Sequence, residues 1–196
     1  KAKINFAKEN LIAQFILSDY KELSKNMKRD FDCVMCTGNS LAHTKNEDLE
    51  NTIKQMDSVL RPGGTLYIDS RNWDNILKRQ QRFYLFNPII RDKGRVNYVQ
   101  VWDYNKSGSI TFNYLIFEEI DNKIASKRQF YEIYYPFTFE TIKGIIEGLN
   151  YQNFKVSKLG NQNETELEKI EWYAITAEKP IEGFVSEPKD KKIKLF

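Results

Sequence analysis

Residues 31–74, FDCVMCTGNSLAHTKNEDLENTIKQMDSVLRPGGTLYIDSRNWD, constrain the fold of this chain more than any other stretch. Residues 31–36 form a short apolar run that ends abruptly in Thr-Gly-Asn-Ser, the pattern of a parallel strand buried on both faces. From Asn46 onward Leu49, Ile53, Met56, Val59 and Leu60 recur at helical spacing. Asn46 is expected to cap the first turn, Glu47 and Asp48 suit the positive helix end, and Arg61-Pro62-Gly63-Gly64 halts the helix. Residues 65–68 then read as a second buried strand. A strand, helix, strand unit of this length crosses over right-handed with parallel strands, so the loops 37–43 and 69–74 leave the same carboxyl edge of the sheet. Ligands of open α/β sheets bind at that edge.

The flanking sequence extends this α/β plan. Residues 1–10 are helix-prone and lack a capping signal, and residues 12–17 predict a strand ending in Ser18-Asp19-Tyr20. Residues 76–83 predict a short helix. Three alternating segments, 96–102, 110–119 and 126–135, are separated by Asn105-Lys106-Ser107-Gly108 and Asp121-Asn122-Lys123, the signature of an antiparallel meander. Pro136 ends it, and Thr138 is placed to cap a helix with Phe139, Ile142, Ile145, Ile146 and Leu149 on one face and Gly148 near its end. Residues 153–159 and 172–177 read as a closing strand pair, and residues 183–196 as a polar, lysine-rich tail.

Composition narrows the class. With 41% hydrophobic and 14% aromatic residues, 196 residues suffice for one domain with an ordinary core. No apolar run is long enough to span a bilayer and the first residues do not read as a signal peptide, so a cytoplasmic protein is the expectation. The net charge of +3, from 30 basic and 27 acidic residues, is too balanced to suggest nucleic acid. Cys33 and Cys36 have CxxC spacing but lie in a strand, where residues three apart face opposite sides. Redox pairs need a helix N-terminus, so buried core thiols are expected. No second histidine accompanies His43 and nothing has metal-ligand spacing.

FDxVxCxGNSxAH followed by LRPGGxLxIDxRNxD resembles the central part of the glycine N-methyltransferases and glycine/sarcosine N-methyltransferases. These are a branch of the class I S-adenosylmethionine-dependent methyltransferases. The resemblance runs weakly to about Pro180. It implies a Rossmann-like, mostly parallel sheet with a terminal antiparallel strand. The methyltransferase domain would occupy residues 1–180, N-terminally incomplete, with 84–136 inserted as an antiparallel lid and 181–196 as a tail.

The resemblance also implies a site. Its cofactor is S-adenosyl-L-methionine, leaving S-adenosyl-L-homocysteine. Asp19 holds the place of the acid that accepts a hydrogen bond from the adenine amino group, and Thr37 the place whose backbone carbonyl takes the cofactor's amino group. Tyr20, Gly38, Ser40 and His43 fall on the cofactor side. Asp19 equally fits a strand-end turn, and His43 a structural hydrogen-bond donor. Arg71 matches the arginine that grips the acceptor's carboxylate, helped by Asn39, while Tyr114 and Tyr134 match tyrosines on the middle and last inserted strands. Arg71 also fits an exposed loop, Asn39 a left-handed turn, and the tyrosines ordinary strand packing. The family's further pocket tyrosine has no counterpart around residues 86–90.

None of the nine glycines forms GxG, so the family's glycine-rich cofactor turn is missing from these residues. Omission of an N-terminal segment is the favoured explanation, since a sheet without those strands leaves long edges unpaired. The expected activity is methyl transfer from S-adenosylmethionine to the amino group of a small amino acid such as glycine or sarcosine. Methylation of another small molecule, and a non-catalytic binding domain of the same fold, stand as alternatives. Nucleic-acid methylation is disfavoured because the loop reads TGNS and not Asn/Asp-Pro-Pro-Tyr. Self-association into a homo-oligomer stays open.

Overall fold

The computed structural model describes residues 2–28 and 30–181. The tail expected at residues 183–196 lies outside the described residues. The chain builds two sheets that meet at the carboxyl edge of the first. In the first sheet β1 (Phe31–Cys36) and β2 (Leu60–Arg71) run parallel, joined by α3 (Leu49–Val59). β8 (Gln152–Lys158) and β9 (Trp172–Glu178) complete the order β1-β2-β9-β8, with β9 antiparallel to both neighbours. The helix face read from the sequence is buried: Leu49, Ile53, Met56, Val59 and the following Leu60 all pack into the core with Leu66 and Ile68. α5 (Phe139–Gly148) adds Ile142 and Ile146, and Thr138 caps it by accepting from the Thr141 amide at 3.1 Å.

The stop after α3 has a local cause. Gly63 takes φ +71° and donates its amide to the Lys179 carbonyl at 2.9 Å. A Cβ on Gly64 would fall 2.7 Å from the Leu60 side chain and 2.9 Å from the Arg61 carbonyl. One glycine is needed for conformation and the other for space.

Several expectations are overturned. The segment 12–17 is not a strand: no other strand pairs with it among the described residues, and Ile12 and Leu17 stand fully exposed. An extended segment without a neighbour has nowhere to send its backbone hydrogen bonds. For the same reason β1 is an edge strand, paired only with β2, and four of its six residues are exposed where burial on both faces was expected. Cys33 is exposed and only Cys36 is buried, its thiol pushed up to about 11 by burial and then by the charge of Asp69. Asn46 does not cap α3. A 3-10 turn over Asn46–Asp48 precedes that helix, and the Asn46 amide instead donates to the Pro136 carbonyl at 3.0 Å. The helix expected at 76–83 is α4 (Trp73–Arg79), which begins earlier because Asn72 caps it.

The second sheet contains β5 (Gly94–Tyr104), β6 (Ile110–Ile120) and β7 (Lys123–Tyr134), the three strands of the meander. Asp121 and Asn122 both take positive φ, as a tight turn between β6 and β7 requires. Two short strands lacking a readable alternation, β3 (Phe83–Leu85) and β4 (Ile89–Arg91), pair with β5. The sheets are joined by aromatic packing: Trp73, wholly buried, lies 6.2 Å from Phe112 and 5.8 Å from Tyr134. The Tyr135 amide also donates to the Ala42 carbonyl at 2.7 Å, tying the end of β7 to the loop after β1. α1 (Ala2–Lys8) buries nothing, and α2 (Leu23–Asn26) contributes Leu23.

Candidate active site

The two loops expected at one edge meet through a buried carboxylate. Asp69 accepts from the Gly38 amide at 2.7 Å, the Asn39 amide at 3.2 Å and the Trp172 indole at 3.2 Å. Gly38 and Asn39 are both left-handed, at φ +72° and +61°, which turns their consecutive amides toward one acceptor. The buried Asn39 closes the arrangement, its Oδ1 accepting from the Ser70 hydroxyl at 3.0 Å and the Arg71 amide at 3.1 Å. Its Nδ2 has no hydrogen-bond partner among the described residues. Thus Asn39 fixes the backbone of Arg71 and keeps two donor hydrogens over.

Arg71 ends β2 beneath the second sheet. Its guanidinium lies 4.9 Å from the Trp172 ring, 5.5 Å from Trp102 and 5.9 Å from Phe112. Burial pushes its pKa down from the ordinary value, opposed by the nearby Tyr134, Tyr114, Tyr84 and Glu171. It remains charged. Among the described residues the guanidinium makes neither a hydrogen bond nor an ion pair, so a half-buried cation keeps a rigid donor fork without a protein partner.

Tyr134 is packed between the sheets, its ring 4.3 Å from Phe112 and 4.5 Å from His43, and its hydroxyl donates to Glu132 at 2.8 Å. The Tyr114 hydroxyl lies 3.3 Å from the same carboxylate and 3.4 Å from the Tyr134 hydroxyl. The structure therefore brings Asn39, Arg71, Tyr114, Tyr134 and His43 into one neighbourhood. Thr37, Ser40 and Tyr20 line a different space, a cleft of about 850 Å³ along the open edge of β1 walled by Phe15, Leu23 and Met35. The Thr37 carbonyl accepts from the Ser40 hydroxyl at 2.6 Å there. Asp19 stands apart from Thr37, in a shallow pocket with His43, Lys21, Lys45 and Asp48, where its carboxylate accepts from the Lys21 amide at 2.9 Å.

Several participants were missed by the sequence reading. Asp69 is the acid of the quoted IDxRN, and its place at a strand end beside TGNS was the available signal. Tyr84 precedes the segment searched for a further tyrosine by two residues; its ring stacks on Trp102 at 3.9 Å, within electrostatic reach of Arg71. Glu132 sits in an alternating strand and carried no signal.

The buried tyrosines give a stability expectation. Burial, then hydrogen bonds to Tyr114 and Glu132, raises Tyr134; burial raises Tyr114 against the lowering effect of its hydrogen bond with Tyr134; and burial, then Asp57, raises Tyr151. A phenol whose folded pKa is raised favours its protonated form. Its stabilisation is complete below the unfolded pKa near 10 and is lost as pH climbs beyond it. Urea midpoints are therefore expected to be flat from pH 7 to 9 and to fall steeply above about 10. Tyr151→Phe, removing one such group, should reduce that slope.

Comparisons with known proteins agree with this architecture. A family described as a methyltransferase domain matches residues 1–64. The glycine/sarcosine N-methyltransferase of Aphanothece halophytica is 36% identical over 78 residues, 39% of this chain and 29% of that enzyme. The glycine N-methyltransferase of Rattus norvegicus is 48% identical over 52 residues, 24% of this chain and 18% of that enzyme. The matched stretch thus spans under a third of the length of these relatives. An S-adenosylmethionine-dependent methyltransferase from Clostridium acetobutylicum superposes with a TM-score of 0.72 at 15% identity, over 91% of this chain and 70% of that one. The CcbJ methyltransferase of Streptomyces caelestis gives 0.68 at 10% identity, over 84% and 63%.

The fold is that of the class I S-adenosylmethionine-dependent methyltransferases. Over 24–39% of its length the chain is similar in sequence to the glycine and glycine/sarcosine N-methyltransferases.

Proposed function

We propose that this chain is the acceptor-binding part of an S-adenosylmethionine-dependent N-methyltransferase whose acceptor is an amine bearing a carboxylate, with glycine and sarcosine as the reference compounds. The observation that carries this reading is the half-buried guanidinium of Arg71, unpartnered among the described residues, at the carboxyl edge of β2 and roofed by the second sheet. A planar fork in a partly dry site is matched by a carboxylate held through two parallel hydrogen bonds. The free Nδ2 of Asn39 is the natural second donor. Trp102, Trp172 and Phe112 exclude water from one face of the pair, which strengthens it.

The residues present fit one side of the cofactor. Tyr20, Phe15, Leu23 and Met35 give the β1 cleft an apolar and aromatic wall, and Thr37 offers a carbonyl with a second lone pair at its end. Ser40 lines the same cleft; Asp19 and His43, assigned to the cofactor by the resemblance, lie in the neighbouring pocket that shares Tyr20, and Gly38 donates to Asp69. The glycine-rich turn of the family is not among these 196 residues. When bound, the sulfonium supplies an electrophilic methyl group. This chain's residues anchor the carboxylate at Arg71 and point the amine toward that methyl. Bound S-adenosylmethionine would supply the methyl and keep the C–S bonding electrons, and the methylated amine would lose a proton to water. No covalent enzyme intermediate is needed, so positioning supplies most of the catalysis.

The test is calorimetry with S-adenosylhomocysteine on this chain and on a chain extended at its N-terminus by a strand, GxGxG turn and helix. The extended chain is expected to bind and the chain alone to bind weakly; equal affinity would move the cofactor elsewhere. In the extended chain Asp19→Ala should weaken binding by about 1–3 kcal/mol if Asp19 meets the adenine amino group. An unchanged dissociation constant would leave Asp19 as the cap of its own turn.

A further inference from the structure

The hydroxyl hydrogens of Tyr114 and Tyr134 are both committed inside the protein. Tyr134 gives its proton to Glu132 at 2.8 Å, the shortest contact of the three groups. Tyr114 then has two acceptors in reach, Glu132 at 3.3 Å and the Tyr134 oxygen at 3.4 Å. Whichever it takes, no hydroxyl hydrogen remains for a ligand. A phenol has one hydrogen to donate and lone pairs to accept with. The trio therefore shows its surroundings one carboxylate charge and phenolic lone pairs. Such a surface repels a carboxylate and accepts from N–H groups.

Arg71 is the opposite pole. Its guanidinium lies 5.9 Å from the Phe112 ring, against which the Tyr134 ring packs at 4.3 Å, and among the described residues it has no carboxylate partner. One side of this neighbourhood is a cation with unused donors, and the other is an anion with unused acceptors. We propose that Glu132 is the specificity-determining residue that makes this pocket select zwitterionic amino acids over simple carboxylates and simple amines. It acts by holding Tyr114 and Tyr134 as acceptors for the amine's N–H groups. This inference rests on the reading of Arg71 as the carboxylate anchor. It assigns the tyrosines to the amine and leaves the carboxylate to Arg71 and Asn39. With two N–H groups on the two phenolic oxygens, the third ammonium hydrogen points away from the trio, and its loss to water before transfer leaves the nitrogen lone pair on that side.

The chain itself, without cofactor, serves for the test, with glycine, acetate and ethylamine as probes in titration calorimetry. Wild type is expected to bind glycine more tightly than acetate or ethylamine. Glu132→Gln, at an exposed position where folding is not at risk, lets the amide donate to Tyr134 and releases the phenolic hydrogens toward the ligand. It should weaken glycine about ten-fold or more, the loss expected for hydrogen bonds to a charged group, and leave acetate unchanged or tighter. Glu132→Asp should recover part of the glycine affinity. Arg71→Gln should weaken glycine and acetate alike. Equal changes for glycine and acetate in Glu132→Gln, or no change in either, would overturn the role of Glu132 while leaving Arg71 in place. Unaltered binding of both ligands in Arg71→Gln would instead remove the proposed function.

Discussion

Replacing Arg71 by lysine is expected to lower methyl transfer to glycine by roughly two orders of magnitude or more, with a much smaller change in affinity for S-adenosylmethionine. Lysine keeps the charge and loses the fork. The guanidinium carbon lies 4.9 and 5.5 Å from the centres of the Trp172 and Trp102 rings, an arrangement that an ammonium on a flexible stem cannot reproduce. A carboxylate held at one point can swing, and a misplaced acceptor loses alignment with the methyl group as well as affinity. Both kcat and KM should therefore worsen. Steady-state kinetics on the extended chain, with cofactor affinity from calorimetry, checks it. A loss of cofactor binding as steep as the loss of turnover would assign Arg71 to the cofactor or to the loop.

The second large effect is on stability. Asp69→Ala removes the acceptor shared by the Gly38 and Asn39 amides and the Trp172 indole, and is expected to cost about 3 kcal/mol or more. The amides of Gly38 and Asn39 have no other acceptor among the described residues, so the loop after β1 should lose order with it. Ser70→Ala touches the same network through one hydrogen bond to Asn39 and should cost nearer 1 kcal/mol. Urea denaturation of the two variants measures the difference. Similar costs would mean that Ser70 and Asn39, and not Asp69, organise the edge.

Where a stretch of sequence supplied its own partners, the pattern was legible. Residues 49–60 pack their apolar stripe on the strands they connect, and residues 94–134 pair with one another through tight turns, so period and turn chemistry sufficed. Burial was misjudged where the partner lay elsewhere. The apolar run 12–17 and the face of β1 have strand composition, but a strand needs a neighbour along its edge, and none stands there among the described residues. The same reasoning explains Cys33, whose alternation was right and whose burial was not.

At the site, spacing and resemblance pointed to Arg71 and Asn39 because both sit at strand ends, where position follows from topology. Tyr84 and Glu132 depend on cross-strand register in the second sheet. Glu132 meets Tyr134 as an i, i+2 neighbour on one face and Tyr114 from the adjacent strand, a pairing that became visible only once β6 and β7 were aligned. Short strands such as β3, with three residues, show no alternation long enough to read. The hydrogen-bond direction of the tyrosines cannot be written in a motif at all, although it decides which end of an acceptor they hold.

The most direct measurement is methyl transfer by the extended chain to glycine, sarcosine and ethylamine, with the N-methylated products quantified by mass spectrometry. Anchoring at Arg71 predicts that glycine and sarcosine exceed ethylamine in kcat/KM by about a hundred-fold, and that Arg71→Lys erases most of that preference. Preference for ethylamine in the wild type would contradict it.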